Sequence, residues 1–436
     1  MLVEFRVGNF RSFKDEVTLS MVASADKEHL ATHTVKISNK LSLLRSAAIY
    51  GANASGKSNL FKALAFMRSF VLNSSRESQA TEKIDVEKFR LSTETENKPS
   101  SFEIIFLIEN IRYRYGFEVD ENQVHNEWLY YVPTIREATL FIREKGVIKV
   151  GPDFKEGNGL DTKTRANALF LSVVAQFNGE KAKKILEWFD HLNIISSIDA
   201  DQYQAFTLSK LADKEYEEFT SKFLRVADLG IKEIQKTERS FAEEDLPKKM
   251  PLKLKKEIMS KVDMVIEVDA IHQKYDQDNK PAADEKFSLF ENESAGTLAL
   301  FALSGPIYDT IKKGKVLVVD ELTSKLHPLL TQAIIEAFHQ SHRKTGSDES
   351  LPSQAQLIFV SHDTGILKNQ LFRRDQIWFT QKNEYGATNL YSLEEYSIRK
   401  DASFDKDYIM GKYGAVPFIS GIESLFPLYD ESHGNR

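Results

Sequence analysis

Between residues 51 and 58 the chain reads Gly51-Ala52-Asn53-Ala54-Ser55-Gly56-Lys57-Ser58, with Asn59 behind it. The spacing G-x-x-x-x-G-K-[ST] is that of a phosphate-binding loop, which requires a strand before it and a helix after it. Both flanks fit. Ser46-Ala47-Ala48-Ile49-Tyr50 predicts a short buried strand, and Ser58 to Leu72 predicts a helix with Leu60, Leu64, Met67 and Val71 on one face. The glycines let the backbone curl so that its N–H groups converge on a phosphate, and the helix N-terminus adds the positive end of its dipole. Lys57 is then placed to bridge β- and γ-phosphates, and the Ser58 hydroxyl to ligate Mg²⁺. These observations imply an α/β fold with a nucleoside triphosphate as ligand.

Composition sets the outer bounds. A chain of 436 residues, 42% of them hydrophobic, can form one large or two medium domains with full cores. The net charge of −6 gives no global basic field for nucleic acid, although a local basic groove stays open. Cysteine is absent, which excludes disulfides, Cys-based zinc sites and thiol catalysis. The first residues, Met1-Leu2-Val3-Glu4-Phe5-Arg6, carry charges where a signal peptide needs an apolar run. No stretch approaches the ~20 apolar residues of a membrane span. A soluble, cytoplasmic protein is expected.

Along the chain, Val3, Phe5 and Val7, then Val17, Leu19 and Met21, alternate as strands around Asn9-Phe10-Arg11-Ser12-Phe13. Strands are expected over Phe102–Ile108 and Ile111–Val119 with a tight Glu109-Asn110 turn, then near 127–132 and 138–143, forming a β-rich lobe over about 84–151. From Asn167 the pattern turns helical, including one stripe of Leu208, Ala212, Tyr216, Phe219, Phe223 and Val226. Lys248, Lys249, Lys253, Lys255 and Lys256 lie beside Glu243, Glu244 and Asp245, and read as a solvated face before a DNA-facing patch. A strand over Val262–Ile271, an exposed loop over Asp276–Glu285 and a strand over Phe287–Phe290 lead to a helix running to Ile311. The expected division is 1–162 (loop and β lobe), 163–260 (helical insert) and 261–436 (a C-terminal half with the second part of the site).

The second half of a triphosphate site follows. Lys315-Val316-Leu317-Val318-Val319-Asp320-Glu321 is an apolar strand ending in two carboxylates, and a buried parallel strand delivers its C-terminal residues to the ligand edge of the sheet. Asp320 is expected to hold Mg²⁺ through water, and Glu321 to orient and deprotonate the attacking water. Such a base is typically worth ~10²–10⁴ in rate. Gln356 to Asp363 is another apolar strand, ending in His362, whose neutral imidazole could sense the γ-phosphate.

The order of these motifs resembles the ABC-type ATPase heads of the RecF/SMC-like branch. Asn9-Phe10-Arg11-Ser12-Phe13 looks like that branch's N-terminal strand-turn, and the loop with Asn53 and Asn59 is similar to its G-x-N-x-x-G-K-S-N form. Glu293-Ser294-Ala295-Gly296-Thr297 looks like the shortened signature E-S-x-G-T of the OLD/RloA-like and AbiL-type ATPases. Asp320-Glu321-Leu322, Leu326-His327-Pro328, Val360-Ser361-His362-Asp363-Thr364 and Tyr408 to Pro417 are similar to their remaining motifs. Thr323 and Lys325 stand where that group has an acidic residue and a serine.

The resemblance implies an ABC-type P-loop ATPase head with an antiparallel β lobe, using ATP and Mg²⁺. It places Arg11, Gly51, Asn53, Ala54, Ser55, Gly56, Lys57, Ser58, Asn59, Ser294 and Gly296 on the nucleotide, Ser58 and Asp320 on the metal, and Lys57, Glu321 and His362 in catalysis. It further implies an ATP-sandwich homodimer, in which Ser294 and Gly296 of one subunit cap the γ-phosphate held by Lys57 of the other. The biology it implies is prokaryotic anti-phage defence, with a separate nuclease or toxin as effector; a RecF-like DNA-binding repair ATPase is the alternative.

Overall fold

The computed structural model describes residues 1–76, 79, 81–195, 200–227, 230–240, 264–323, 326–340, 354–397 and 402–417. The expected lysine cluster at 248–256 and Lys325 lie outside the described residues.

In chain order the strands are β1 (Leu2–Gly8), β2 (Val17–Ser20), β3 (Thr34–Lys36), β4 (Ser42–Leu44), β5 (Ser46–Tyr50), β6 (Ser100–Ile108), β7 (Ile111–Val119), β8 (Val124–Val132), β9 (Ala138–Glu144) and β10 (Val147–Val150). They continue with β11 (Leu192–Ile195), β12 (Ile231–Ser240), β13 (Met264–Tyr275), β14 (Pro281–Ser288), β15 (Val316–Val319), β16 (Gln356–Val360), β17 (Ile377–Lys382) and β18 (Thr388–Ser392). Two sheets dominate. A core sheet has the order β11-β15-β16-β5-β17-β18, and an antiparallel lobe has the order β10-β9-β8-β7-β6-β1-β2. The protein is a mixed α/β fold with a parallel core sheet and an antiparallel lobe.

Period-two alternation divides the core into two layers. Val316, Val318, Ile358, Val360, Ala47 and Ile49 belong to the layer beneath the lobe. Leu317, Val319, Leu357, Phe359, Ala48 and Tyr50 belong to the layer on the opposite face. All neighbours in this sheet run parallel except the terminal β17–β18 pair. A short strand buried on both faces reads as the continuous apolar run that the sequence displays.

The phosphate-loop helix, Lys57–Asn73, lies between lobe and core sheet. Its stripe of Leu60, Leu64, Met67 and Val71 is buried as its spacing requires. Phe66 and Phe70 meet Phe102 and Phe117 of the lobe at ring separations of 5.0 and 5.5 Å. Gln356 fastens the two sheets, accepting from Leu2 N–H and donating to the Leu2 and Leu44 carbonyls.

Three elements differ from the sequence expectation. The segment 163–260 carries helices at Phe170–Gln176, Glu180–Asp190, Ala200–Lys210 and Lys214–Val226, but also β11, which is an edge strand of the core sheet, and β12. The stripe from Leu208 to Val226 is two helices, the second capped by Asp213 accepting from Glu215 N–H. Pro281–Ser288, part of which was expected to be loop, is a strand paired to β13, and Leu289–Asn292 is a helical turn.

Candidate functional site

β5 ends at the loop, β15 ends at Asp320-Glu321, and β16, ending at Ser361-His362, lies between them. The parallel order therefore delivers all three segments to one edge of the sheet. One hydrogen bond joins the first two: the Ser58 hydroxyl donates to Asp320 Oδ1 at 3.2 Å. Lys57 is buried and its ammonium donates to the Gly51 and Ala52 carbonyls at 2.7 and 2.8 Å. Burial pushes the Lys57 ammonium down to about 8, against the opposing charges of Asp320 and Glu321. Burial also raises the Asp320 carboxyl, with the Ser58 hydrogen bond opposing and the Glu321 charge adding to it. His362 stands at the end of β16; partial burial, and then the charge of Lys57, hold its imidazole below the ordinary value.

Loop shape is enforced from behind. Gly51 has φ 153° and Gly56 φ 111°, both in backbone regions that disfavour side chains. A Cβ on Gly51 would lie 2.5 Å from the Thr380 carbonyl oxygen, and one on Gly56 would lie 2.4 Å from the Thr388 hydroxyl. Ala54 at φ 60° completes the curl, and it and Asn53 are exposed. Ser55 is buried with its hydroxyl 2.6 Å from that of Thr380. Thr388 holds its hydroxyl 2.8 Å from the Ser55 carbonyl and 2.9 Å from the Ser12 hydroxyl, to which Asn59 also donates at 2.8 Å. The Tyr408 phenol donates to the Ala415 carbonyl at 3.1 Å and sits against the Gly51 N–H. Thr380 and Thr388 carried no readable signal, since a hydroxyl residue in a strand is common, whereas Ser12 belongs to the Asn9–Phe13 motif. Tyr408 could be found only through the C-terminal motif that contains it.

Glu321 adopts φ 61°, a left-handed conformation that a glutamate rarely takes and that clusters at functional sites. It follows β15 directly, while Leu322 N–H bonds back to the Val360 carbonyl at 3.2 Å. Thr323 lies with its hydroxyl 3.3 Å from that of Ser361, linking the turn after β15 to the end of β16.

Arg11 also has a left-handed φ of 49° and pairs with Glu87 at 2.6 Å. Beside it lies a cavity of about 520 Å³, lined in part by Phe10, Lys62, Phe66, Ser69 and Asp85. Lys62 is one turn beyond Ser58 on the loop helix, and its charge reaches Asp320. Of the residues that line the cavity, Lys62 is the one nearest the phosphate loop along this helix.

Ser294 and Gly296 sit apart from this cluster. Ser294 caps the helix Ala295–Lys313, accepting from Thr297 N–H at 3.1 Å, and is exposed. Among the described residues no hydrogen bond links either of them to the phosphate loop.

Residues 46–368 match the family model described as "AAA domain, putative AbiEii toxin, Type IV TA system". The chain belongs to that AAA family. Membership in this P-loop ATPase family implies nucleotide binding. No curated protein matches the sequence. Among solved structures, the chain is similar to an SMC head bound to the C-winged helix domain of ScpA, at 13% identity, 93% and 99% coverage of this chain and that one, and a TM-score of 0.44. It is also similar to an SMC head domain from Thermotoga maritima, at 13% identity, 90% and 98% coverage, and a TM-score of 0.39. A RecF recombination mediator structure matches at 14% identity, 89% and 98% coverage, and a TM-score of 0.36. Among the described residues no helix is long and apolar enough to cross a membrane.

Proposed function

We propose that this protein hydrolyses ATP at a site shared between two copies of the chain, and works as an ATP-gated dimeric switch in anti-phage defence that controls a separate nuclease or toxin. The observation that carries the hydrolytic part is the Ser58–Asp320 contact. It brings a hydroxyl and a carboxylate, the oxygen donors suited to Mg²⁺, to the foot of a curled loop. Ser58 and Asp320 would hold that ion, which offsets phosphate charge when bound. Lys57 would exchange its bonds to the Gly51 and Ala52 carbonyls for phosphate oxygens, where its charge is better compensated. Glu321 would align a water and take its proton, and His362 would hold that water from the other side. The nucleoside would lie toward Arg11, in the cavity flanked by Phe10 and Phe66.

The composite site is supported by topology. The helix Ala295–Lys313 is about 28 Å long at ~1.5 Å per residue. Gly314 then turns the chain back into β15. The signature end of that helix and the carboxylate end of β15 thus face the same side of the molecule. Among the described residues the N–H groups at Ser294–Gly296 have no partner outside their own helix, and they are suited to a phosphate presented by a second copy. The family description, with its toxin–antitoxin system, supports the defence reading.

The test is Glu321→Gln, which should slow hydrolysis at least a hundredfold and accumulate an ATP-bound dimer on sizing. A variant that stays monomeric with saturating ATP would remove the sandwich. Lys57→Ala should abolish nucleotide binding, and unchanged affinity would remove the loop assignment. Affinity purification of Glu321→Gln from its native host should recover a protein effector; recovery of duplex DNA alone would favour a repair clamp.

A further inference from the structure

The residue before the signature cap, Glu293, is held by a side chain from a different part of the fold. His272 Nε2 lies 2.7 Å from Glu293 Oε1, and both side chains are largely buried, at 20% and 12% exposure. Among the described residues, His272 is the one side-chain partner of Glu293. β13, which carries His272, is the middle strand of the separate sheet β12-β13-β14. Alternation places His272 on the same face as Val268 and Ala270, which are buried in the second core layer. Its ring packs 5.0 Å from that of Phe287 on β14. The histidine is therefore fixed before it meets the carboxylate.

What the bond prevents is the point of interest. Glu293 and Ser294 are both extended, with ψ of 159° and 156°, and the helix of nineteen residues begins immediately after them. A helix N-terminus offers unpaired N–H groups and a positive dipole end, and an anionic side chain one residue before the cap is a natural intramolecular ligand for both. In the composite site those same groups are the ones required by a phosphate from the opposing subunit. An unrestrained Glu293 would compete with that phosphate and repel it.

We infer that His272 is a positioning residue for nucleotide capture in trans: it holds the Glu293 carboxylate against the β12–β14 sheet and keeps the N-terminus of the signature helix open to phosphate. The inference rests on the composite-site reading. It gives the three-stranded sheet a direct handle on the ATP site, because any displacement of β13 relative to the helix breaks the 2.7 Å contact.

The test uses the Glu321→Gln chain as the parent and reads ATP-dependent dimerisation by sedimentation, with nucleotide affinity of the monomer measured alongside. Adding His272→Ala should weaken dimerisation about tenfold while monomer affinity for ATP stays unchanged, since Lys57 and its loop are untouched. His272→Gln should restore dimerisation, because a glutamine amide can place a donor near the position of Nε2. The deciding variant is His272→Ala with Glu293→Gln. Removing the carboxylate charge should rescue the dimer, a result that a merely structural role for the histidine does not give. Unchanged dimerisation of the His272→Ala chain, or no rescue by Glu293→Gln, overturns the inference and leaves the composite site standing. A parent that remains monomeric with ATP overturns both.

Discussion

At the scale of single residues, the site is a set of groups held away from their ordinary state. Lys57 is the clearest case. Its ammonium titrates near 8 because burial penalises the charge, and a neutral amine cannot pair with phosphate. The sign follows directly: lowering the pH below 8 charges the lysine and favours ATP, whereas raising it through 8 discharges the lysine before ATP arrives. ATP affinity measured by calorimetry should therefore fall about tenfold between pH 7 and pH 9. A flat profile across that range would show that Lys57 keeps its proton. Tyr408 makes the second prediction, since its phenol joins the Ala415 carbonyl to the region of Gly51 N–H. Tyr408→Phe should leave the fold intact and weaken ATP binding about fivefold, the equivalent of one hydrogen bond of about 1 kcal/mol. Thr380 and Thr388 act similarly from behind the loop, which is why neither Gly51 nor Gly56 has room for a side chain.

At the scale of elements, agreement with the sequence depends on length and on how complete the periodicity is. The helix Lys57–Asn73 and the hairpin β6–β7 were legible, the first from four apolar positions on one face, the second from the Glu109-Asn110 turn. Both turn residues have positive φ, at 50° and 63°, the combination that matches strand twist in a two-residue hairpin. β11 was not legible, because Asn193 interrupts its short apolar run and its neighbours are helices, whereas β15, equally short, is apolar throughout. β14 was hidden by its charges: Asp284, Glu285 and Lys286 look like loop until they are seen against β13. One buried carboxylate does the work of a cap across elements. Glu127 on β8 is fully buried and accepts from Phe170 N–H, Leu171 N–H and the Tyr115 phenol at 2.7 to 3.0 Å. It ties the lobe to the start of the helix Phe170–Gln176. Glu127→Ala should cost about 3 kcal/mol in urea denaturation, because it strands buried donors. A loss below about 1 kcal/mol would mean that water replaces the carboxylate.

At the scale of the whole molecule, the proposed function requires the phosphate loop of one chain to meet Ser294 and Gly296 of a second across a two-fold axis. Such an interface is self-complementary, so each dimer contains two composite sites. That symmetry gives a quantitative prediction. Lys57→Ala and Ser294→Arg should each be inactive alone, yet an equimolar mixture should recover up to about a quarter of wild-type ATPase activity. The reason is that half of randomly formed dimers are mixed, and each mixed dimer contains one site with both residues intact. No recovery on mixing would place both residues on one subunit's site or remove the dimer. The net charge of −6 belongs to this scale as well. A repair clamp should show steeply salt-dependent duplex binding, and that slope measured with ATP present separates the two functional readings.

The sequence by itself determined the family and the expectation of nucleotide binding, and it supplied the chemistry that is proposed for the site. Gly51 to Ser58, Asp320, Glu321 and His362 are residue types whose spacing and flanking strands imply phosphate, metal and water, because local backbone geometry is written in local residues. The tertiary structure decided which of these groups share a site. Only the strand order puts β16 between β5 and β15 and brings Ser58, 262 residues away in sequence, within hydrogen-bond reach of Asp320. The hydroxyls behind the loop, the β11 edge and the His272–Glu293 contact depend on pairings between distant segments, and a pairing partner leaves no mark on its own stretch of sequence.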